Sequence, residues 1–235
     1  MRPRTALVIP TFNEVEAIGA VVAEVPRAAV DRIIVADGGS TDGTCECAAL
    51  AGAEVVHAGR GYGRACLAGA AAAADADILV FMDGDGADDP AAIEALIHPI
   101  AAGSVDFAIG SRLRGRAAAG SMGWHQRCAG LGLGWAMGIL YGVRYTDLCA
   151  LRAIRRELLF GLGMREMTYG WNLEMQMRVA RAGRRVLELP VDNRARLGGQ
   201  SKVAGSFSGS LRAGTRIAAT FGRLLFAPQG IQGDA

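Results

Sequence analysis

The 235-residue sequence lacks the features of several specialised protein classes. Its 5 cysteines are an odd number and too sparse for a disulfide-rich secreted domain. Its formal net charge is only +2, whereas nucleic-acid-binding domains usually carry a strong basic excess. The longest uncharged run, residues 128–143, is shorter than the ~20 residues of a transmembrane helix. The opening residues also enter a short apolar strand too soon for a signal peptide, so we expect one cytoplasmic domain with an appendage.

Patterns of cysteine and histidine that bind metals are also missing. Cys45 and Cys47 are separated by one residue instead of the two of a CxxC motif, and no second pair complements them. The histidines at positions 57, 98 and 125 follow no ligand spacing. We therefore assign these residues no metal role and interpret the cysteines as small buried thiols in a reduced cytosol.

Short β-branched segments alternate with alanine-rich segments through the first half of the chain. They predict strands over residues 6–9, 32–35, 54–57, 77–82 and 107–109, and helices over 15–24, 44–51, 63–74 and 90–101. This order predicts an α/β fold with a largely parallel sheet covered by helices. Further on, we expect helices over 122–141 and 171–182, a strand over 185–191 and an amphipathic stretch after Gly205. Residues 171–182 also alternate as a strand would, but their composition and the closing Gly183 favour a helix.

Polar clusters follow three of the predicted strands. Residues 11–14 follow the first strand, residues 37–42 the second and residues 83–85 the fourth. In open α/β sheets, ligands bind outside the carboxyl ends of the strands. The three clusters therefore predict a single crevice lined by acidic and amide side chains.

Four carboxylates lie within seven residues after the most apolar strand, at positions 83, 85, 88 and 89. Such groups repel one another unless a cation lies among them, and Mg²⁺ or Mn²⁺ binds to one or two carboxylates plus substrate phosphates. A nucleoside diphosphate would supply those phosphates, and the metal would offset the charge of the leaving group. A solvated turn is the alternative, with Asp89 merely capping the next helix.

Residues 37–44 read Asp-Gly-Gly-Ser-Thr-Asp-Gly-Thr, which is typical of a tight strand-to-helix turn. Asp42 could cap the following helix, and Asp37 could accept hydrogen bonds from a nucleobase or ribose. An ordinary turn is the alternative interpretation. No Gly-Lys-Ser/Thr follows, so the segment is not a Walker phosphate loop.

Together these clusters resemble the motifs of family 2 glycosyltransferases over about residues 5–215. Pro10-Thr-Phe-Asn-Glu14 resembles the family's P-x-x-N-E, and residues 37–44 resemble its D-D-G-S-x-D-G-T, with Gly38 replacing the second Asp. Residues 61–65 resemble its G-x-G-x-A, and Asp83-Gly-Asp85 its D-x-D. The resemblance implies a GT-A fold, a nucleotide-sugar donor and a divalent metal, Mg²⁺ or Mn²⁺.

Later motifs are similar to those of the dolichol- and polyprenyl-phosphate sugar synthases. They are Gly110-Ser-Arg112, Asp147-Leu-Cys-Ala-Leu-Arg152, Tyr169-Gly-Trp-Asn-Leu-Glu174 and Arg194-x-Arg-x-Gly-Gly-x-Ser-Lys202. This resemblance implies inverting transfer of a hexose from a UDP- or GDP-sugar to a polyprenyl phosphate.

The resemblance also implies roles for individual residues. It implies nucleotide-sugar binding by Pro10, Thr11, Asn13, Glu14, Asp37, Gly39, Gly63, Asp83 and Gly84. It implies metal binding by Asp83 and Asp85, and acceptor-phosphate binding by Arg112, Arg196, Ser201 and Lys202. It implies a catalytic set of Asp85, Arg112, Glu174, Arg196 and Lys202.

The chemistry of the reaction suits such a set. A lipid phosphate is already an anion at neutral pH, so the site needs cations more than a strong base. Arginine can bind phosphate through two hydrogen bonds, and Lys202, the only lysine, would act as a point charge. Glu174 could instead pair with Arg178 at i+4, and Asp147 could fix the acceptor side through hydrogen bonds.

We expect a catalytic domain over residues 1–204 and a C-terminal amphipathic extension over residues 205–235. Residues 128–143 and the extension could lie in the membrane interface and receive the acceptor's chain, on the inner face of the membrane. Both segments could instead pack on the core or in a dimer interface.

Three other functions are open. A family 2 enzyme with a soluble or protein acceptor would need a carboxylate base for an alcohol nucleophile, either Glu174 or Asp88. A sugar-phosphate nucleotidyltransferase shares the α/β plan, but no Gly-rich loop with an activating cation follows the first strand. A binding protein without catalysis would not need the acidic pair or the cations, and metal dependence would separate it from an enzyme.

Overall fold

A computed structural model describes residues 2–116, 124–198 and 207–226. Within them, one sheet contains seven strands. They are β1 (Thr5–Thr11), β2 (Arg32–Asp37), β3 (Glu54–His57), β4 (Ile78–Phe81), β5 (Phe107–Ser111), β6 (Arg152–Arg155) and β7 (Val186–Pro190). The helices are α1 (Val15–Glu24), α2 (Thr44–Leu50), α3 (Tyr62–Ala72), α4 (Ile93–Ala101), α5 (Trp124–Tyr141), α6 (Arg156–Gly161), α7 (Trp171–Arg181) and α8 (Phe207–Phe226). A 3₁₀ turn over Pro90–Ala92 precedes α4.

The strands lie in the order β3-β2-β1-β4-β6-β5-β7, and all pairs are parallel except those that β6 makes with β4 and β5. This mostly parallel sheet flanked by helices confirms the predicted fold class. Strand β1 is buried along its whole length between β2 and β4. Burial on both faces explains why these strands read as continuous apolar runs instead of alternating.

Strand β6 and helix α6 were not predicted from the sequence. The strand reads Arg-Ala-Ile-Arg, and two arginines in four residues conceal the apolar signal of a buried strand. Its first three residues are nevertheless buried, and Arg152 has no exposed surface. The side chain of Arg152 is tolerated there because its guanidinium donates to the backbone carbonyls of Cys149, Ala150 and Asn172.

Helix α7 confirms the helical interpretation of residues 171–182. Eight of its 11 residues are buried, including Trp171, Glu174 and Gln176. Because polar residues are buried among the apolar ones, the apolar residues alone gave no clear helical period.

Helix α8 packs against α7 and the loop before it. Thr220 and Leu224 are buried, and Arg181 of α7 donates to the carbonyl of Leu224 at 3.2 Å. At the end of the helix, Phe226 is 84% exposed. Among the described residues, no helix is long and apolar enough to cross a membrane.

Helix α5 lies in close contact with the segment that leads into Asp147. A Cβ atom on Gly130 would lie 3.1 Å from the carbonyl oxygen of Thr146, and one on Gly134 would collide with the carbonyl oxygen of Tyr145. The helix can approach this backbone only because both positions are glycine. Its glycines therefore set the position of α5 over the loop that carries Asp147.

We expect Gly134→Ala to destabilise the protein, because its methyl group would meet backbone that cannot rotate away. Overpacking of this kind typically costs about 1–3 kcal/mol in the free energy of unfolding. Gly132→Ala is the matched control, since nothing lies within 4 Å of a Cβ there and alanine favours a helix. Urea unfolding of both variants measures the difference. Equal stability of the two variants would contradict the close packing of α5.

Candidate active site

The loops after β1 and β2 are joined by hydrogen bonds at the carboxyl edge of the sheet. The Oδ1 atom of Asn13 accepts from the backbone N–H of Thr41 at 3.0 Å, and the N–H of Asn13 donates to Ser40 Oγ at 2.8 Å. The N–H of Glu14 donates to Thr44 Oγ1 at 2.9 Å. Asn13 has a φ of 51°, a backbone conformation that asparagine tolerates better than most residues. The two polar clusters therefore form one rigid wall.

Asp37 lies at the base of this wall with 1% of its surface exposed. Its Oδ2 accepts from the N–H groups of Gly39 at 2.9 Å and Ser40 at 3.0 Å. Burial acts to raise the pKa of Asp37, but hydrogen bonds from Ser40 and Gly39 outweigh it and the pKa is lowered. Asp37 is thus an ionised hydrogen-bond acceptor, as binding to a nucleoside would require.

Gly38, which replaces the second Asp of the family motif, lies close to the backbone of β1. A Cβ at position 38 would lie 3.1 Å from the carbonyl oxygen of Thr11, which leaves little room for a side chain. The next glycine, Gly39, has a φ of 92° and is exposed. Its left-handed conformation turns its N–H toward Asp37.

Residues 83–88, here called the acidic turn, fold around their own carboxylates. Asp88 Oδ2 accepts from the N–H of Asp83 at 3.1 Å, and Asp85 Oδ1 accepts from the N–H of Ala87 at 2.9 Å. The hydroxyl of Tyr62 donates to Asp83 Oδ1 at 2.9 Å. Gly84 is buried, and a Cβ there would lie 2.8 Å from Thr11 Cγ2, so glycine lets the turn approach β1.

The acidic turn holds more negative charge than its described surroundings neutralise. Burial, together with the charges of Asp88 and Asp85, raises the pKa of Asp83. Burial also raises the pKa of Asp88, although Arg112 lowers it in part. A divalent cation would relieve this repulsion, so the residues present fit a hard metal ion.

Residues 191–198, here called the covering segment, cross the acidic turn. The N–H of Arg194 donates to the carbonyl of Ala87 at 2.8 Å, and that of Leu197 to the carbonyl of Asp85 at 3.0 Å. Arg196 Nη2 lies 2.5 Å from Asp85 Oδ2 and 3.9 Å from Glu14 Oε1. The buried Nε of Arg196 has no partner among the described residues. Arg196, which was expected to bind the acceptor phosphate, thus pairs with Asp85, which was expected to bind the metal.

Asp89 and Arg194 have structural partners. Asp89 Oδ1 accepts from the N–H of Ala91 at 3.0 Å, which confirms the capping role considered for it. Arg194 pairs with Glu24 at 2.5 Å and with Asp89 at 2.7 Å. These contacts fasten the covering segment to α1 and to the 3₁₀ turn.

Arg112 is held by two parallel hydrogen bonds to Asp147. Its Nε donates to Asp147 Oδ2 and its Nη2 to Oδ1, both at 2.8 Å. Burial acts to raise the pKa of Asp147, but this pairing outweighs it and the pKa is lowered. Because its charge lowers the pKa values of Asp83 and Asp88, Arg112 lies within electrostatic reach of the acidic turn. Asp147 therefore orients a cation toward the crevice.

The structure gives Glu174 the structural contacts that the sequence analysis considered as the alternative to a catalytic role. The side chain is fully buried, and Oε1 is 2.9 Å from Arg178, the i+4 partner considered as the alternative. Its Oε2 accepts from the N–H groups of Arg165 at 2.9 Å and Glu166 at 2.6 Å. In this structure both oxygens of Glu174 bind within the protein, and the residue holds the loop that contains Arg165 and Glu166.

Gly63 has a packing role of the same kind. A Cβ there would collide with the carbonyl oxygen of Glu166, which belongs to the loop that Glu174 holds.

The remaining expected residues fall into two groups. Pro10 and Thr11 end β1 and are buried, whereas Ser201 and Lys202 lie outside the described residues.

Three residues beside the site had no predicted role. Tyr62 contacts Asp83, and both His57 and Cys45 lie beside Asp37. The only available signal was positional: His57 ends a strand next to β2, and Tyr62 begins the helix after it. Residue type alone did not reveal these contacts.

The sequence of this chain is similar to those of known glycosyltransferases. Residues 6–163 match the model of "Glycosyl transferase family 2". An uncharacterized glycosyltransferase of Mycobacterium tuberculosis is 38% identical over 87% of this chain and 92% of its own. The undecaprenyl-phosphate mannosyltransferase of Micrococcus luteus is 32% identical over 88% and 90%. The polyprenol monophosphomannose synthase of Mycolicibacterium smegmatis is 33% identical over 86% and 82%.

Solved structures show the same fold. Glucosyl-3-phosphoglycerate synthase from Mycobacterium tuberculosis with phosphoglyceric acid has a TM-score of 0.78 at 23% identity, over 97% of this chain and 82% of that one. A structure of that protein with Mn²⁺, UDP-glucose and phosphoglyceric acid has a TM-score of 0.76 over the same shares. The family and the GT-A fold predicted from the motifs are thereby confirmed.

Asp83→Asn tests the excess of negative charge. The raised pKa means that ionisation of Asp83 costs stability: its favourable contribution is complete below the unfolded pKa of about 4 and is lost as pH rises through the higher folded value. Asparagine still accepts a hydrogen bond from Tyr62. Near pH 8 in EDTA we expect the variant to melt roughly 2–4 °C above the wild type, and near pH 4 the two to coincide.

Calorimetry at both pH values makes this measurement. Glu157→Gln, which removes a charge from an exposed helical position, is the control and should change the melting temperature little at either pH. An Asp83→Asn variant that melts below the wild type near pH 8 would rule out unbalanced charge in the acidic turn.

Proposed function

We propose that this chain, which belongs to glycosyl transferase family 2, transfers a hexose from a UDP- or GDP-sugar to a polyprenyl phosphate. The names of two relatives specify polyprenyl-phosphate mannosyl transfer, which supports this acceptor and makes mannose a first sugar to test. The observation that carries the proposal is Arg196, whose Nη2 lies 2.5 Å from Asp85, together with Arg112, whose charge lowers the pKa of Asp88. Two cations there suit a reaction that brings two phosphate groups together.

The donor would bind in the crevice at the carboxyl ends of β1, β2 and β4. In this proposal the ionised carboxylate of Asp37 accepts hydrogen bonds from the nucleoside, and Asn13 and Glu14 line the same wall. Pro10, Thr11 and Gly39 belong to that wall, while Gly63 and Gly84 shape the crevice through packing. Asp83 and the donor's diphosphate would bind the same divalent cation.

Mg²⁺ or Mn²⁺ would be held by Asp83 and Asp85. Bound there, a divalent ion supplies positive charge to the leaving diphosphate. Once Asp85 serves as a ligand, Arg196 loses its carboxylate partner and its guanidinium is available to a phosphate. The unpartnered Nε of Arg196 adds a second donor for such an anion.

The proposed reaction needs no strong base. An oxygen of the acceptor phosphate forms a bond to the anomeric carbon, and the bond to the donor's diphosphate breaks on the opposite face, so that configuration inverts. The electron pair leaves with the nucleoside diphosphate, and no proton has to be removed. An alcohol acceptor would need a base; of the two candidates, Glu174 is buried and ion-paired, and Asp88 is buried and accepts from the N–H of Asp83 in the acidic turn.

Three large apolar side chains form an exposed stripe along α5. Leu131 is 53% exposed, Trp135 70% and Ile139 65%, and their spacing of four residues aligns them on one face. The same helix packs on the segment Tyr145–Asp147, whose carboxylate orients Arg112. We propose that this apolar stripe contacts the membrane interface, so that a lipid-borne phosphate can reach Arg112.

The proposal assigns separate roles to the catalytic unit and to the C-terminal extension. Residues 1–204 would form the catalytic unit and residues 205–235 an amphipathic extension. One face of α8 packs on α7, which leaves Leu225 and Phe226 exposed at its end for the same interface. The protein would act as a peripheral enzyme on the cytoplasmic face, with no nucleic-acid partner.

The direct test is transfer from a panel of radiolabelled UDP- and GDP-sugars to polyprenyl phosphate, with Mg²⁺ or Mn²⁺ present. We expect label in an organic-extractable product that is lost in EDTA and reduced on the order of 10²-fold or more in Asp85→Asn and Arg112→Lys. His98→Ala, an exposed change on α4, should retain transfer and is the control. Metal-dependent donor binding without lipid product would overturn the acceptor and favour a soluble one.

The apolar stripe makes a separate prediction. We expect the double change Trp135→Gln and Ile139→Gln to weaken sedimentation with anionic vesicles, because it removes two apolar side chains of α5 that are 70% and 65% exposed. Leu50→Gln is a matched control, since Leu50 is 89% exposed at the end of α2 and lies outside the stripe. Equal vesicle binding by both variants would show that the stripe does not contact the membrane.

A further inference from the structure

A second group of metal-ligand side chains lies at neighbouring strand ends. Asp37 ends β2, His57 ends β3 and Cys45 lies in the first turn of α2. Asp37 and His57 are register partners in the parallel pair, so their side chains leave the sheet on the same face. One ligand atom from each residue lies within 4.8 Å of the other two, which no other such trio achieves among the described residues.

The chemistry of this trio differs from that of the acidic turn. Thiolate sulfur, imidazole nitrogen and carboxylate oxygen are the donor atoms of zinc sites, whereas Mg²⁺ requires oxygen ligands. Three protein ligands around Zn²⁺ leave the fourth tetrahedral position open to water or another ligand. The two cation sites would therefore select different metals by ligand type.

The distance between two of the three ligand atoms is close to that in a zinc site. Asp37 Oδ2 and His57 Nδ1 are 3.9 Å apart, and ligand atoms around tetrahedral Zn²⁺ are separated by roughly 3.3–3.8 Å. The His57 side chain is 80% exposed, so it can rotate toward the other two ligands without disturbing the core. Asp37, in contrast, is fixed by the N–H groups of Gly39 and Ser40, which both donate to Oδ2, so a bound cation would replace one of these hydrogen bonds.

Cys45 is the third ligand and is partly buried. Burial, together with the charge of Asp37, raises the pKa of its thiol to about 11. A sulfur ligand also gives the site a spectroscopic signature that an oxygen site lacks.

We propose that Asp37, Cys45 and His57 form a binding site for a zinc-class divalent cation, separate from the site at Asp83 and Asp85. The cation would inhibit the enzyme, because it would occupy the carboxylate that the donor's nucleoside needs. This inhibitory role rests on the proposed function, in which Asp37 contacts the nucleoside. The existence of the cation site does not depend on the proposed function.

Zn²⁺ titration by calorimetry on tag-free protein, with saturating Mg²⁺, tests the site. We expect one Zn²⁺ per chain in the wild type, and binding weaker by about tenfold or more in Cys45→Ser and in His57→Ala. Two matched controls should bind as the wild type does: Cys47→Ser, two residues further along α2, and His98→Ala, an exposed histidine on α4. Unchanged Zn²⁺ affinity in Cys45→Ser and His57→Ala, or equal loss in the controls, would overturn the site.

Co²⁺ gives a second readout that does not depend on activity. A thiolate-to-cobalt absorption band should appear in the wild type and in Cys47→Ser, and it should be absent from Cys45→Ser. A band that persists in Cys45→Ser would assign the cation to another cysteine and overturn the proposal.

Competition separates the inhibitory role from the proposed transfer reaction. UDP or GDP should weaken Zn²⁺ binding, and Zn²⁺ should weaken nucleotide binding by the same factor. Zn²⁺ binding that both nucleotides leave unchanged would overturn the inhibitory role. Transfer to polyprenyl phosphate measured without Zn²⁺ reports on the proposed function alone, so failure of either idea can be recognised separately.

Discussion

Repulsion among the carboxylates of the acidic turn is the constraint on which the rest of this site depends. The sheet buries Asp85 and Asp88 beside Asp83 at the end of β4, and their charges have to be balanced by cations from elsewhere in the chain. Arg196 approaches from the covering segment, and Arg112 is aimed by Asp147. An enzyme that binds a diphosphate and a second phosphate needs such a site, since its cations can change partners when anions arrive.

Hydrogen bonds to the backbone give this crevice its rigidity. Asn13 joins the loops after β1 and β2, and Asp37 is fixed by the turn that follows it. Glu174 holds the loop at residues 165–166 instead of facing the crevice. In this structure Glu174 positions other residues, which means that a motif can mark a residue without marking it as a contact of the substrate.

The two proposals use different surfaces of the same fold. The apolar stripe on α5 lies on the helix that covers Asp147, so a lipid surface and the phosphate-binding arginine would be adjacent. The cation trio shares Asp37 with the proposed nucleoside site, and its His57 is exposed to solvent. Zn²⁺ at the trio would oppose binding of the donor, whereas Mg²⁺ or Mn²⁺ at the acidic turn would support it.

The sequence by itself determined the family, the parallel core and the crevice, because apolar runs followed by polar turns record both the strand and the edge at which it ends. It did not reveal β6, since two arginines conceal the strand, and one of the carbonyls that accept from Arg152 belongs to Asn172, 20 residues away. Only the tertiary structure paired Arg196 with Asp85, turned Glu174 toward Arg178 and brought His57 to Asp37. Local patterns fix periodicity and turn chemistry, whereas the partner of a charged side chain is decided by which segments the folded core brings together.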